Sequence, residues 1–151
     1  MATQWIQHRL RVHLLQRQLL LLMWLHNNKE FVDAGDWYGF IYEITNNISG
    51  KKYIGRKYFT TAKTRQVKGK KKRTRVESDW RDYYGSNKAL LADVEQFGKE
   101  KFTRRILMLC PTRGNTNYWE AKFQFDNNVL LEDNYYNEWI MIKTHRKHIK
   151  K

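Results

Sequence analysis

Two tyrosines, Tyr42 and Tyr53, stand eleven residues apart in short aromatic and β-branched runs, and ten lysines or arginines with no acid follow between Arg56 and Arg75. Such a set can handle phosphate. Phenol hydroxyls hydrogen-bond to phosphate oxygens or to water, and clustered cations supply the field a polyanion requires. Glu120, in a segment of helical character, adds a hard carboxylate oxygen of the kind that suits Mg²⁺. Cutting a phosphodiester requires a water made nucleophilic, a cation bridging the scissile phosphate, and positive charge where the transition state gathers negative charge. The chain offers a candidate for each.

The elements that must position these groups can be read locally. Trp37 to Thr45 favours a strand, Asn46, Asn47 and Gly50 a reversal, and Lys52 to Arg56 a return strand. Tyr42 and Tyr53 lie symmetrically about a point between Asn47 and Ile48, so an even-length loop centred there makes them cross-strand neighbours on one face. An odd-length loop would need a bulge to do the same. The cationic stretch 56–75, with Gly69 inside Lys68-Gly69-Lys70-Lys71-Lys72-Arg73, repels itself and is expected to be a mobile loop until a polyanion orders it.

Beyond it, Ser86 is expected to cap a helix running to Phe97, with Leu90, Leu91, Val94 and Phe97 on one face and Gly98 as its stop. Phe102 to Cys110 reads as a central strand ended by Pro111 and Gly114. A second helix starts near Asn115 or Asn117, with Tyr118, Ala121 and Phe125 as its apolar stripe and Glu120 off to the side. Tyr135 to Ile142 is expected to pack as a short strand or helix.

Residues 1 to about 30 have a different character. His13 to Trp24 is dominated by leucine, but the uninterrupted apolar run Leu19 to Leu25 is far shorter than the ~20 residues needed to cross a bilayer. A helix without stable membrane insertion is expected, and no small-residue cleavage site follows it. Its possible roles are packing on the domain, a dimer contact, or a translated extension upstream of Met23.

Composition bounds the partners. A formal charge of +14 on 151 residues, with a sequence pI near 9.9, favours a polyanion. The one cysteine, Cys110, allows no internal disulfide and suits a reducing compartment such as the cytoplasm. The histidines lack zinc spacing, and His145-x-x-His148 reads as a solvated pair in a basic tail.

Phe40-Ile41-Tyr42, then Tyr53-Ile54-Gly55, then a helical Glu resemble the paired motif that names the GIY-YIG nuclease superfamily. The first motif departs from the pattern: Phe40 holds its glycine position and Gly39 sits one residue earlier, which shifts the backbone's point of closest approach. The resemblance covers about residues 37–143. It implies an α+β fold with a small central three-stranded antiparallel sheet flanked by helices. The chain then divides into a helical amino-terminal extension (1–35), a nuclease domain (36–143) and a basic tail (144–151).

By the same resemblance Glu120 binds Mg²⁺ or Mn²⁺, and Tyr42 positions or deprotonates the attacking water. A phenol has an ordinary pKa near 10, so the second role needs the field of Arg56 and Lys57 to favour the phenolate. Tyr53 bonds to the phosphate or the water network. The family's arginine is matched to Arg81 with Tyr84, Arg75 being the alternative, and its late asparagine to Asn137, with Asn134 second. Arg56, Lys68, Lys70, Lys71, Lys72, Arg73 and Arg75 would contact the backbone of double-stranded DNA without reading bases. The function implied is a divalent-metal-dependent DNA endonuclease. Two other classes stand beside it: a non-catalytic nucleic-acid-binding module on the same scaffold, and a membrane-surface or partner-docking protein using the leucine-rich helix.

Overall fold

The computed structural model describes residues 2–150. In chain order the elements are helix α1 (Ala2–Leu21), strands β1 (Trp24–His26), β2 (Lys29–Glu30), β3 (Gly39–Asn46), β4 (Lys52–Tyr58), β5 (Thr60–Val67) and β6 (Lys70–Glu77), helix α2 (Lys88–Phe97), strand β7 (Phe102–Cys110) and helix α3 (Arg113–Asp126).

The β3–β4 hairpin forms as its turn chemistry dictates. The Asn46 carboxamide oxygen accepts from the amides of Ile48 and Ser49, and Gly50 takes φ +77°. Strand β7, whose apolar run suits a position paired on both sides, lies antiparallel to β3. The sheet does not stop at these three strands, as expected from sequence, but has five in the order β2-β1-β7-β3-β4, with β1 parallel to β7. The fold is α+β. Strand β1 is three residues long, too short for any period to show. It is held by Trp24, which is 1% exposed, donates its indole N–H to the Trp80 carbonyl at 2.7 Å and packs edge-on against Phe40 and Tyr42. Asn27 and Asn28, both at positive φ, make the two-residue turn into β2. The amino-terminal extension is therefore helical only to Leu21, and Trp24–His26 and Lys29–Glu30 belong to the sheet.

Each face of the sheet is covered. Phe40, Tyr42, Ile44, Phe59, Phe102 and Ile106 point to one side, where Trp80 and the α2 residues Leu90 and Val94 close over them. Ile41, Ile54 and Cys110 point to the other, against Trp119 and Phe123 of α3. Helix α2 is capped by Asn87, not Ser86: the Asn87 carboxamide oxygen accepts from the Leu90 amide at 2.9 Å, and Gly98 ends the helix as expected.

Helix α3 begins two residues earlier than the nearer expected start, with the Thr112 hydroxyl accepting from the Asn115 amide. Its inward face is not the expected stripe. Ala121 is buried, but Tyr118 and Phe125 are exposed and the other buried positions are Asn115, Thr116 and Gln124. The buried polar residues find partners near by: Asn115 bonds to Thr112 and Lys150, and Thr116 to the Thr112 carbonyl, while Gln124 reaches strand backbone. Gln124 donates to the Ile54 carbonyl at 2.9 Å.

Residues 60–77 are likewise not a loop. They form a separate antiparallel ribbon, β5–β6, turning through Lys68 and Gly69 at φ +48° and +74°. Alternation divides the run Lys70 to Arg73 between the two faces, and Lys63 and Arg73 each oppose a threonine, although Arg65 opposes Lys72. Tyr135 to Ile142 forms no regular element beyond a single parallel bridge from Lys52 to Tyr135. No described helix is long and apolar enough to cross a membrane.

Candidate active site

Strand β4 is the last strand of the sheet, and a cavity of about 550 Å³ wraps around its open edge. Residues from both faces of the sheet meet there. On one face Tyr42 stands opposite Gly55, and a Cβ on residue 55 would lie 2.6 Å from the Tyr42 hydroxyl and 2.9 Å from the Tyr53 ring. The missing side chain is what lets the Tyr42 ring lie across β4 and carry its hydroxyl to the edge. Tyr53 stands opposite Ile44, so the hairpin is centred between Ile48 and Ser49, one residue later than expected. The two phenols are diagonal rather than direct partners, still on one face, with ring centroids 6.1 Å apart. Gly39 makes the other close approach, since a Cβ there would lie 2.8 Å from the Lys57 carbonyl and 3.1 Å from the Thr116 side chain.

On the opposite face of β4, Arg56 projects toward α3, and its guanidinium donates to the carboxylate of Glu120. The Glu120 side chain is 12% exposed. Burial raises its pKa above the ordinary carboxylate value, with Arg56 pulling the other way. Tyr42, Tyr53, Arg56 and Glu120 all line the same cavity.

Burial also raises Tyr42 well above the usual phenol value, and the neighbouring phenols Tyr83 and Tyr53 add to the rise. That is opposite to the shift a standing phenolate needs. The field expected from Lys57 does not reach it. Lys57 is committed elsewhere, its ammonium 2.5 Å from Asp79 and 3.8 Å from the centre of the Tyr83 ring. Tyr53 is raised as well, by burial, against a hydrogen bond from Ser86 that lowers it.

The other expected site residues are distributed unevenly. Asn137 lines the cavity, but its carboxamide is occupied by the backbone of β4, accepting from the Ile54 amide at 3.0 Å and donating to the Ile54 carbonyl at 2.8 Å. It thus pairs with the strand edge as a neighbouring strand would. Asn134 offers its backbone carbonyl to the Lys52 amide. Arg81 and Tyr84 are not brought into the cavity. Arg81 bonds to Glu77 and to the Val32 carbonyl, and Tyr84 is buried against Arg104. Lys68, Lys70, Lys71, Lys72 and Arg73 lie exposed on the ribbon, and Arg75 sits at its base with its guanidinium on Thr60 and over the Tyr38 ring.

Several lining residues were not assigned to the site from sequence, among them Tyr83, Lys88, Gln124 and the acid Glu138. Gln124 carried a usable signal, since a residue four past Glu120 shares its helix face. Tyr83 packs edge-on to Tyr42 at 5.9 Å, and Lys88 opens α2, neither of which spacing alone discloses.

A family model described as "Putative endonuclease segE, GIY-YIG domain" matches residues 24–140. The protein named "Putative endonuclease segE" of Enterobacteria phage T4 is 33% identical over 101 residues, which is 66% of this chain and 40% of that protein. The chain thus spans less than half the length of that relative. No solved structure matches. The family match takes in β1 as well as the two tyrosine motifs and α3, and on that span the chain belongs to the segE GIY-YIG domain family of the GIY-YIG nucleases.

Proposed function

We propose that this domain hydrolyses phosphodiester bonds in double-stranded DNA with a divalent cation, Mg²⁺ or Mn²⁺, held at Glu120. The observation that carries this reading is the convergence of two phenols, a guanidinium and a carboxylate around one open strand edge. Among the described residues no three His, Cys, Asp or Glu side chains cluster as a metal cage. A single buried carboxylate fits Mg²⁺, which keeps most of its waters and accepts substrate phosphate as a ligand. When bound, such a cation supplies Lewis-acid stabilisation of the phosphoryl charge.

The chain's own groups do the rest. Tyr42 keeps its proton at neutral pH, so it orients the attacking water by hydrogen bonding and is not a standing base. Tyr53 and Lys88, on either side, donate to phosphate oxygens. Arg56 closes on Glu120 in the free chain, and an incoming phosphate competes for its forked donors, turning the guanidinium to the substrate and opening the carboxylate. A buried lone Cys110 and a phage-encoded relative support action in the cytoplasm of an infected cell.

The test is nicking of supercoiled plasmid DNA with Mg²⁺. Glu120→Ala and Tyr42→Phe are expected to lose at least about 10²-fold in rate while DNA binding persists, and chelation is expected to stop the wild-type reaction. Unchanged rates in both variants would remove the proposal. The Arg56–Glu120 pair also favours a second reading, a binding module whose carboxylate stays neutralised. That reading expects salt-sensitive DNA binding and no metal-dependent nicking.

A further inference from the structure

The ribbon β5–β6 is built without a core. Residues 61–77 are all exposed, and among them Glu77 is the one acid. A bare two-stranded ribbon is marginal in water, so its faces are available to a partner. Its base is nevertheless fixed. Arg75 donates from Nε and Nη2 to Thr60 at 2.8 and 2.9 Å, and Ser78 donates to the Tyr58 carbonyl at 2.6 Å. Tyr58 ends β4, and its hydroxyl donates to Asn117 on α3. The ribbon is therefore a fixed-base extension of the same strand that carries Arg56 into the cavity.

Resting on the DNA-cleavage reading above, we propose that this ribbon lies in the major groove of B-form duplex DNA and reads base edges there while the cavity holds the phosphate. Dimensions and charge both point to that partner. Strands of eight residues extend about 27 Å at ~3.4 Å each and lie ~4.8 Å apart. The B-form major groove, ~12 Å wide, admits a two-stranded ribbon. The deep, narrow major groove of A-form RNA does not.

The two faces differ in chemistry. On one, Thr64 opposes Arg73 and Gln66 opposes Lys71. Those are the side-chain types that pair with guanine O6 and N7, adenine N6 and N7, and the thymine methyl group. The other face also carries threonines, Thr61 and Thr74, but no carboxamide, and presents Lys63, Arg65, Lys70 and Lys72, whose long stems reach flanking phosphates. The first face is assigned to the groove floor and the second to the backbone. This replaces the purely non-specific role expected for these residues from sequence.

The experiment measures binding of the full wild-type chain in EDTA to a labelled DNA duplex of about two helical turns (~21 bp) by fluorescence anisotropy. Methylating guanine N7 with dimethyl sulfate is expected to weaken binding about ten-fold, and an RNA duplex of the same sequence to bind at least about ten-fold more weakly. Netropsin, which fills the minor groove, is expected to leave Kd within about two-fold. The double variant Gln66→Ala/Arg73→Ala is expected to lose the sensitivity to N7 methylation. Equal affinity for the RNA duplex, or displacement by netropsin with no effect of N7 methylation, overturns the proposal. Binding here needs no cation, so the two readings fail separately. A chain that senses N7 but does not nick with Mg²⁺ keeps the ribbon and loses the nuclease; one that nicks but ignores N7 does the reverse.

Discussion

The guanidinium of Arg56 closes on the carboxylate of Glu120 on the α3 side of β4, so the acid proposed to hold a cation is already paired in the free protein. Burial raises the Glu120 pKa, and Arg56 holds that rise down. Replacing the guanidinium with an apolar side chain removes the restraint. Arg56→Met is therefore expected to slow hydrolysis about 10²- to 10³-fold and to move the acid limb of the pH–rate profile to higher pH. In the wild type that limb lies above the ordinary carboxylate value of 4.5, because the ligand is lost as pH falls through a raised pKa. Plasmid nicking across a pH series measures both, and a limb displaced to lower pH would contradict the pairing.

Gly55 is required by contact, not by backbone torsion. A methyl group there meets the Tyr42 hydroxyl at 2.6 Å and the Tyr53 ring at 2.9 Å, and Tyr42 is itself buried. Gly55→Ala is expected to cost about 1–3 kcal/mol of stability through overpacking and to cut activity more than stability alone explains. Thermal unfolding monitored by circular dichroism, run beside the nicking assay, separates the two effects. Full activity in Gly55→Ala would show that Tyr42 does not reach the edge through that gap.

Tyr42 also sets an alkaline limit. Its proton is held more tightly in the folded protein than in the unfolded chain, where it leaves near pH 10.0. Its contribution to stability is fully present below that value and is lost as pH rises through the raised native pKa. Between about pH 9 and about pH 11, wild type should lose more stability than Tyr42→Phe. Urea midpoints at those two pH values test it, and equal losses would mean that the hydroxyl is not shielded.

Arg104 holds the wall behind the phenols. It is 2% exposed, donates to the carbonyls of Arg81 and Tyr83 at 2.9 Å each and to that of Leu22, and lies over the Trp24 and Tyr84 rings. Among the described residues no acid pairs with it, and burial lowers its pKa. Arg104→Met keeps the volume but leaves three carbonyls without their donor, which is expected to cost about 3 kcal/mol or more. The loosened Tyr83 segment should also reduce nicking. Urea denaturation gives the first quantity, and an unchanged midpoint would deny the residue this role.

The amino-acid order by itself determined the elements whose signals are local. The β3–β4 turn at Asn46 and Gly50, the apolar strand β7 and the stop at Gly98 each follow from turn chemistry or periodicity within one short window, and so does the shared face of Tyr42 and Tyr53, though not their register. The resemblance to a helical Glu after the third strand, in order and context, marked Glu120 as the carboxylate to watch. What tertiary structure decided depends on contacts between distant windows. Three residues at Trp24 became a strand only because β7 and Trp80 were there to receive them, and a run of cations became a ribbon because a two-residue turn outweighed its repulsion. Gln124 on the inner face of α3 answers strand backbone that no helical period can announce. Arg56, not Arg81, came to face Glu120 because strand alternation sends residue 56 to the α3 side of the sheet, and because β4 is the last strand, groups from opposite faces can meet around its edge.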